Sequence, residues 1–155
     1  MSKPRYNWWS FALNMIRDYP VRRRDYLQLH DQKITADLSG MPKAGNASRT
    51  VEGIATRQLP DQEQREYDAV RAAVEYTRTL PEGTVRLRLI DMTLWKNTKN
   101  IAGAALQLHI SERTAQRYRW QFVALVGQRY GFMTWEDYTQ LVKRQNERSN
   151  GHYTA

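Results

Sequence analysis

Apolar residues recur at helical spacing along most of this chain, and no stretch of useful length alternates apolar and polar residues as a strand would. An all-α fold is therefore expected. Near the start, Trp8, Trp9, Phe11, Leu13, Met15 and Ile16 occupy more than one face of a helix over about residues 7–18, which Tyr19-Pro20 is expected to break. A second helix would open at Pro20 and carry Tyr26, Leu27, Leu29 and His30, giving an N-terminal helical hairpin over residues 1–34. Arg22, Arg23 and Arg24 then fall near its start, where a helix dipole disfavours cations. A helix apolar nearly all round needs cover from several sides. The cover is either the core of the same chain or a partner, which makes Trp8, Trp9, Phe11 and Ile16 candidates for an interface with a second copy or another protein.

Periodicity then stops. TADLSGMPKAGNASRT, within a loop or linker over residues 35–59, collects Gly, Pro, Ser and Asn without a repeat. It resumes over residues 60–146. Asp61 is a candidate cap with Gln64 at the third position of a capping box, and Tyr67, Val70, Ala73, Val74 and Thr77 form a stripe that Pro81-Glu82-Gly83 ends. The next helix, from Thr84 to about Trp95, buries Leu87, Ile90 and Leu94 and carries Arg86 and Arg88 outward. Thr134 followed by Glu136 and Asp137 reads as the start of a last helix through Leu141 and Val142, with residues 147–155 as a polar, flexible tail.

Between these lies the most informative segment, Thr98 to Gly127, which reads as a helix-turn-helix. Thr98 is a candidate N-cap, Ala102, Gly103, Ala104 and Ala105 permit close helix approach, and Leu106 and Leu108 are apolar anchors. A turn through His109 and Ile110 leads to a second cap, Ser111. Ala115, Tyr118, Phe122, Leu125 and Val126 then share one face. His109 stands where such turns favour a glycine with positive φ, and Ala115 where a branched residue commonly plugs the crossing. Trp120 falls off the stripe, so it belongs against the last helix or beside the polar face. That face carries Glu112, Arg113, Gln116, Arg117 and Arg119, mostly in the first two turns, the end that a recognition helix offers to the major groove. Arginine matches guanine and glutamine matches adenine, so Arg113, Gln116 and Arg117 are expected to read bases. Lys99, Asn100, Ser111 and Arg119 are expected to position phosphates.

Charge agrees with that reading. The 155-residue chain has a formal net charge of +8. The cations gather in residues 1–34 and 98–130, while the region of Asp61, Glu63, Glu66, Asp68 and Glu75 is acidic and suits scaffold rather than phosphate contact. There is no cysteine, hence no disulfide framework or thiolate metal site. The N-terminal apolar run is interrupted by Asn7, Ser10 and Asn14 and lacks a cleavage site, and no run reaches the length of a membrane span, so a cytoplasmic chain is expected. His30, His109 and His152 form no HExxH motif and no glycine-rich phosphate loop is present. Neither catalysis, a cofactor nor a metal is expected.

Longer segments add a resemblance. NWWSFALNMIRDYP, ITADLSGMP, RTVEGIA, LPDQEQREYDAV and AALQLHISERTAQRYRWQFVALVGQRYGFM resemble the RinA and ArpU-like regulators of phages and prophages of Gram-positive bacteria. The C-terminal half is also similar to region four of sigma factors. The resemblance implies a helical bundle with a C-terminal helix-turn-helix, in a late-gene transcription activator that binds double-stranded promoter DNA with host RNA polymerase. It carries over Arg113, Thr114, Gln116, Arg117 and Arg119 as DNA contacts. The rival reading is a small terminase-like packaging protein, which more usually places its motif near the N-terminus. RNA binding would call for exposed aromatic platforms, whereas most aromatics here follow core spacing.

Overall fold

A computed structural model describes residues 7–38 and 59–151. Among the described residues the chain is all-helical, with six α-helices and no strand: α1 (Trp9–Leu38), α2 (Asp61–Arg78), α3 (Gly83–Ile90), α4 (Ile101–Leu108), α5 (Glu112–Tyr130) and α6 (Trp135–Gly151). A single π-helical turn, Asp91–Trp95, continues α3.

α5 is the central element, packing against the five other helices. Its sequence explains why, since every residue from Gln121 to Gly127 is buried and no face of that stretch is left for solvent. Met15 and Ile16 of α1, Val70 and Ala73 of α2, Ile90 of α3 and Phe122 to Val126 of α5 form the larger core. Gly127 lets one crossing close up, because a Cβ there would sit 3.0 Å from Cε3 of Trp8 and the indole would have to give by a few tenths of an ångström. A second, smaller core joins Leu89, Ala104, Ala105, Leu108, Ala115 and Tyr118.

The expected hairpin over residues 1–34 is instead one helix that runs through Pro20. Proline removes the N–H that would bond the carbonyl four residues earlier, here that of Ile16. The Trp95 indole N–H donates to that carbonyl at 2.9 Å, from 79 positions further along the chain. The π turn presents this side chain: its wider loop, closed by the Lys96 N–H on the Asp91 carbonyl at 2.8 Å, brings Trp95 against Tyr19 and Phe122. With no helix start at Pro20, the arginines after it do not face a positive dipole. Arg22 instead reaches Glu66 of α2 at 2.8 Å, a largely buried ion pair that ties α1 to the acidic helix.

Other boundaries differ from expectation. Residues 35–38 of the anticipated linker belong to α1, residues 39–58 lie outside the described residues, and Leu59 is buried in the core. α2 opens on Pro60 without a side-chain cap, and Gln64 donates to Asp68 rather than closing a capping box. α6 starts as expected. The Thr134 hydroxyl accepts from the Asp137 N–H at 3.1 Å and the Asp137 carboxylate from the Thr134 N–H at 3.3 Å, a reciprocal cap. It continues to Gly151, past the boundary expected at residue 146, and residues 152–155 lie outside the described set. No helix among the described residues is long and apolar enough to cross a membrane.

Candidate nucleic-acid interface

The segment with the candidate contacts folds into two capped helices around a tight turn. Asn100, not Thr98, caps α4: its Oδ1 accepts from the Gly103 N–H at 2.8 Å. Thr98 instead uses its backbone N–H on the Met92 carbonyl. α4 ends at His109, which takes the left-handed conformation (φ 58°) that the sequence position demands. There the Ile110 N–H bonds the Ala105 carbonyl at 3.0 Å and the His109 N–H bonds that of Leu106 at 3.3 Å, the pairing that closes a helix on a left-handed residue. Ile110 packs down on the small core, and Ser111 starts α5 by accepting from the Thr114 N–H at 3.0 Å.

The two helices approach closely because the residues between them are small. Ala104, Ala105 and Ala115 are fully or almost fully buried. Ala115 fills its position without a branched side chain, since Leu89 and Tyr118 complete the packing around it. Leu108 is buried as expected, but Leu106 is not an anchor; it is 79% exposed.

From this frame the first two turns of α5 project Arg113 and Gln116 into solvent, with Thr114 and Arg117 half-buried beside them. The Arg117 guanidinium lies 5.6 Å from the Tyr118 ring centre, so its stem is held while its donors stay at the surface. Lys99 and Asn100 are exposed at the other end of α4, roughly 12 Å of helix away from the turn. Arg119 departs from the expected outward row. It is half-buried, its Nε is sealed from solvent without an acceptor, and burial holds its pKa below the usual arginine range, with Arg17 of α1 adding to the effect.

Two residues behind the face were not anticipated. Arg86, expected outward, turns in: its guanidinium stacks 4.1 Å from the Tyr118 ring centre and donates to Gln121 at 2.9 Å. The Tyr118 hydroxyl donates to Glu82 at 2.8 Å, and Gln121 donates onward to Gln145 of α6. This network locks α5 against α3 and α6 and so fixes which side of α5 faces outward. Its signal in the sequence was the glutamine at position 121 amid an apolar run, which needs partners once buried.

Of the anticipated partner surface, Ile16 lies wholly in the core and Trp8 and Trp9 pack half-buried against it. Ile16 therefore belongs to the core and offers nothing to a partner. Phe11 stays 56% exposed, beside Phe132 at 6.2 Å between ring centres. Trp120 packs on Trp9 of α1 at 6.2 Å between ring centres, a neighbour that the sequence reading did not name. Among the described residues no group of three or more His, Asp or Glu side chains converges on a possible metal position. No family model matches the chain, and no curated protein and no solved structure matches it either.

Proposed function

We propose that α4, the turn at His109 and α5 act as a helix-turn-helix that binds double-stranded DNA, with α5 as recognition helix. The observation that carries this reading is the outward row on the first two turns of α5, Arg113, Gln116 and Arg117, mounted on a helix whose rear is immobilised by Tyr118 and the fully buried Ala115. Arg113, Gln116 and Arg117 read base edges, while Thr114, Ser111, Lys99 and Asn100 border the phosphates. The resemblance to RinA and ArpU-like regulators extends the proposal to a promoter-binding activator of phage late genes, working in the bacterial cytoplasm beside host RNA polymerase. The basic balance of the chain supports the same class of partner.

Genomic footprinting of the tagged chain identifies the operator, and anisotropy titrations on that duplex test the residues. Arg113→Ala and Arg117→Ala each weaken binding roughly tenfold to a hundredfold and relax preference at one base pair. Unchanged affinity and specificity in both variants would sink the assignment. Ring-shaped assemblies with no promoter peak would favour DNA packaging instead.

A further inference from the structure

We propose that the groove between the start of α1 and α6 docks a second copy of this chain, the two α6 helices lying antiparallel across a twofold axis that passes between Gln140 and Leu141. The pairing is independent of DNA binding, since no residue of the groove belongs to α4 or to the outward row of α5.

The groove holds about 240 Å³ and is lined by Trp8, Met133, Asp137, Gln140, Leu141 and Arg144. Its apolar wall continues outward, because Trp8 stacks on Phe132 at 6.5 Å between ring centres and Phe132 in turn meets Phe11. Both phenylalanines are exposed, so aromatic surface runs from the groove into solvent. On α6 the lining residues form a stripe beside the buried Tyr138. Asp137, Leu141 and Arg144 follow one another at spacings of four and three residues, and the exposed Arg148 extends the same row.

Charge decides the occupant. The stripe carries a carboxylate at one end and a guanidinium at the other, roughly 10 Å apart along the helix axis, with Leu141 between them. Neither has an ion-pair partner among the described residues. Asp137 accepts from the Thr134 N–H through Oδ2, which leaves Oδ1 for a cation across the groove. A fitting partner therefore presents base, apolar group and acid in the reverse order. A second α6 turned end for end does so: the twofold sets Asp137 of each copy against Arg144 of the other and Leu141 against the Gln140 stem. Arg148 of the second copy then falls opposite Met133, which places a guanidinium beside the Trp8 wall. The net charge of +8 repels a second copy at a distance, but at about 0.15 M salt the Debye length of about 8 Å screens that repulsion and spares pairs in contact.

Sedimentation equilibrium on the full chain at about 0.15 M salt reads the association of the native protein, of Asp137→Lys, of Arg144→Glu and of an equal mixture of the two variants. The native chain is expected to form a dimer with a micromolar Kd. Each reversal alone opposes like charges at both symmetric contacts and weakens association roughly tenfold to a hundredfold. Mixed, the two variants carry opposite charges at both contacts and form a heterodimer that neither forms alone. A merely structural role of Asp137 in the α6 cap would give no such recovery. Circular dichroism checks that α6 is kept; if Asp137→Lys loses it, Arg144→Lys and Arg144→Glu decide, the first keeping the dimer and the second losing it. A dimer indifferent to the reversals, or weakened by each and not restored by mixing, overturns the antiparallel pairing. A native chain that stays monomeric up to about 100 µM overturns the second copy as occupant and leaves the groove to another protein. Assemblies larger than a dimer overturn the twofold.

Discussion

Single backbone positions set the α4–α5 turn, and His109 is the most constrained of them. Its left-handed conformation costs an L-residue with a Cβ about 1 to 2 kcal/mol. The cost is met because the Ile110 and His109 N–H groups close the end of α4 and Ile110 covers the small core. His109→Gly removes the strain and should raise stability by up to about 1 kcal/mol in urea unfolding, while His109→Val should lower it by more than that. A destabilised glycine variant would mean that the imidazole makes a contact worth more than the strain. The conformation was legible in the sequence from the spacing of the two helices alone. The position of Arg119 was not: an arginine reads as solvent-facing, whereas in the packed bundle it is half-buried with its Nε sealed from solvent.

Helix existence was largely legible and helix ends less so, since ends depend on partners that local sequence does not name. α6 announced its cap through Thr134 and Asp137, which lie within one turn. α1 did not announce its continuity, because the group that repairs the break at Pro20 is Trp95. This arrangement makes a sharp prediction. Trp95→Phe leaves the Ile16 carbonyl buried without a donor and should cost about 1 to 3 kcal/mol, with some further loss from the smaller ring. Pro20→Ala restores an N–H within the helix for the same carbonyl. In that background Trp95→Phe should cost less, and a double-mutant cycle by chemical denaturation reads the difference. Strict additivity would show that the indole contributes only packing. The same bond ties the π turn, which packs against α4, to α1, so weakening it loosens the support behind the proposed interface.

Across the whole molecule, charge and burial are segregated. Cations gather over residues 17–24 of α1 and at the start of α5, the acidic α2 takes Arg22 into an ion pair, and the interior is rich in tyrosine. That interior gives the bundle a distinctive alkaline limit. Burial pushes the Tyr138 hydroxyl up to about 12, helped by Tyr76 nearby, and raises Tyr19, Tyr67 and Tyr118 in the same direction. An unfolded tyrosine ionises near pH 10. Between about pH 10 and about pH 12 the folded state therefore holds more protons than the unfolded one, and stability falls as pH rises through that window. Below it the contribution is complete and flat. Thermal midpoints measured from about pH 8 upward should thus hold steady and then drop beyond about pH 10. Tyr138→Phe keeps the ring against Trp135 and removes the ionising group, so its decline should be shallower when referred to its own midpoint at about pH 8. An unaltered decline would mean that the phenol of Tyr138 already meets water in the native bundle, and that α6 is docked by its aromatic edge alone.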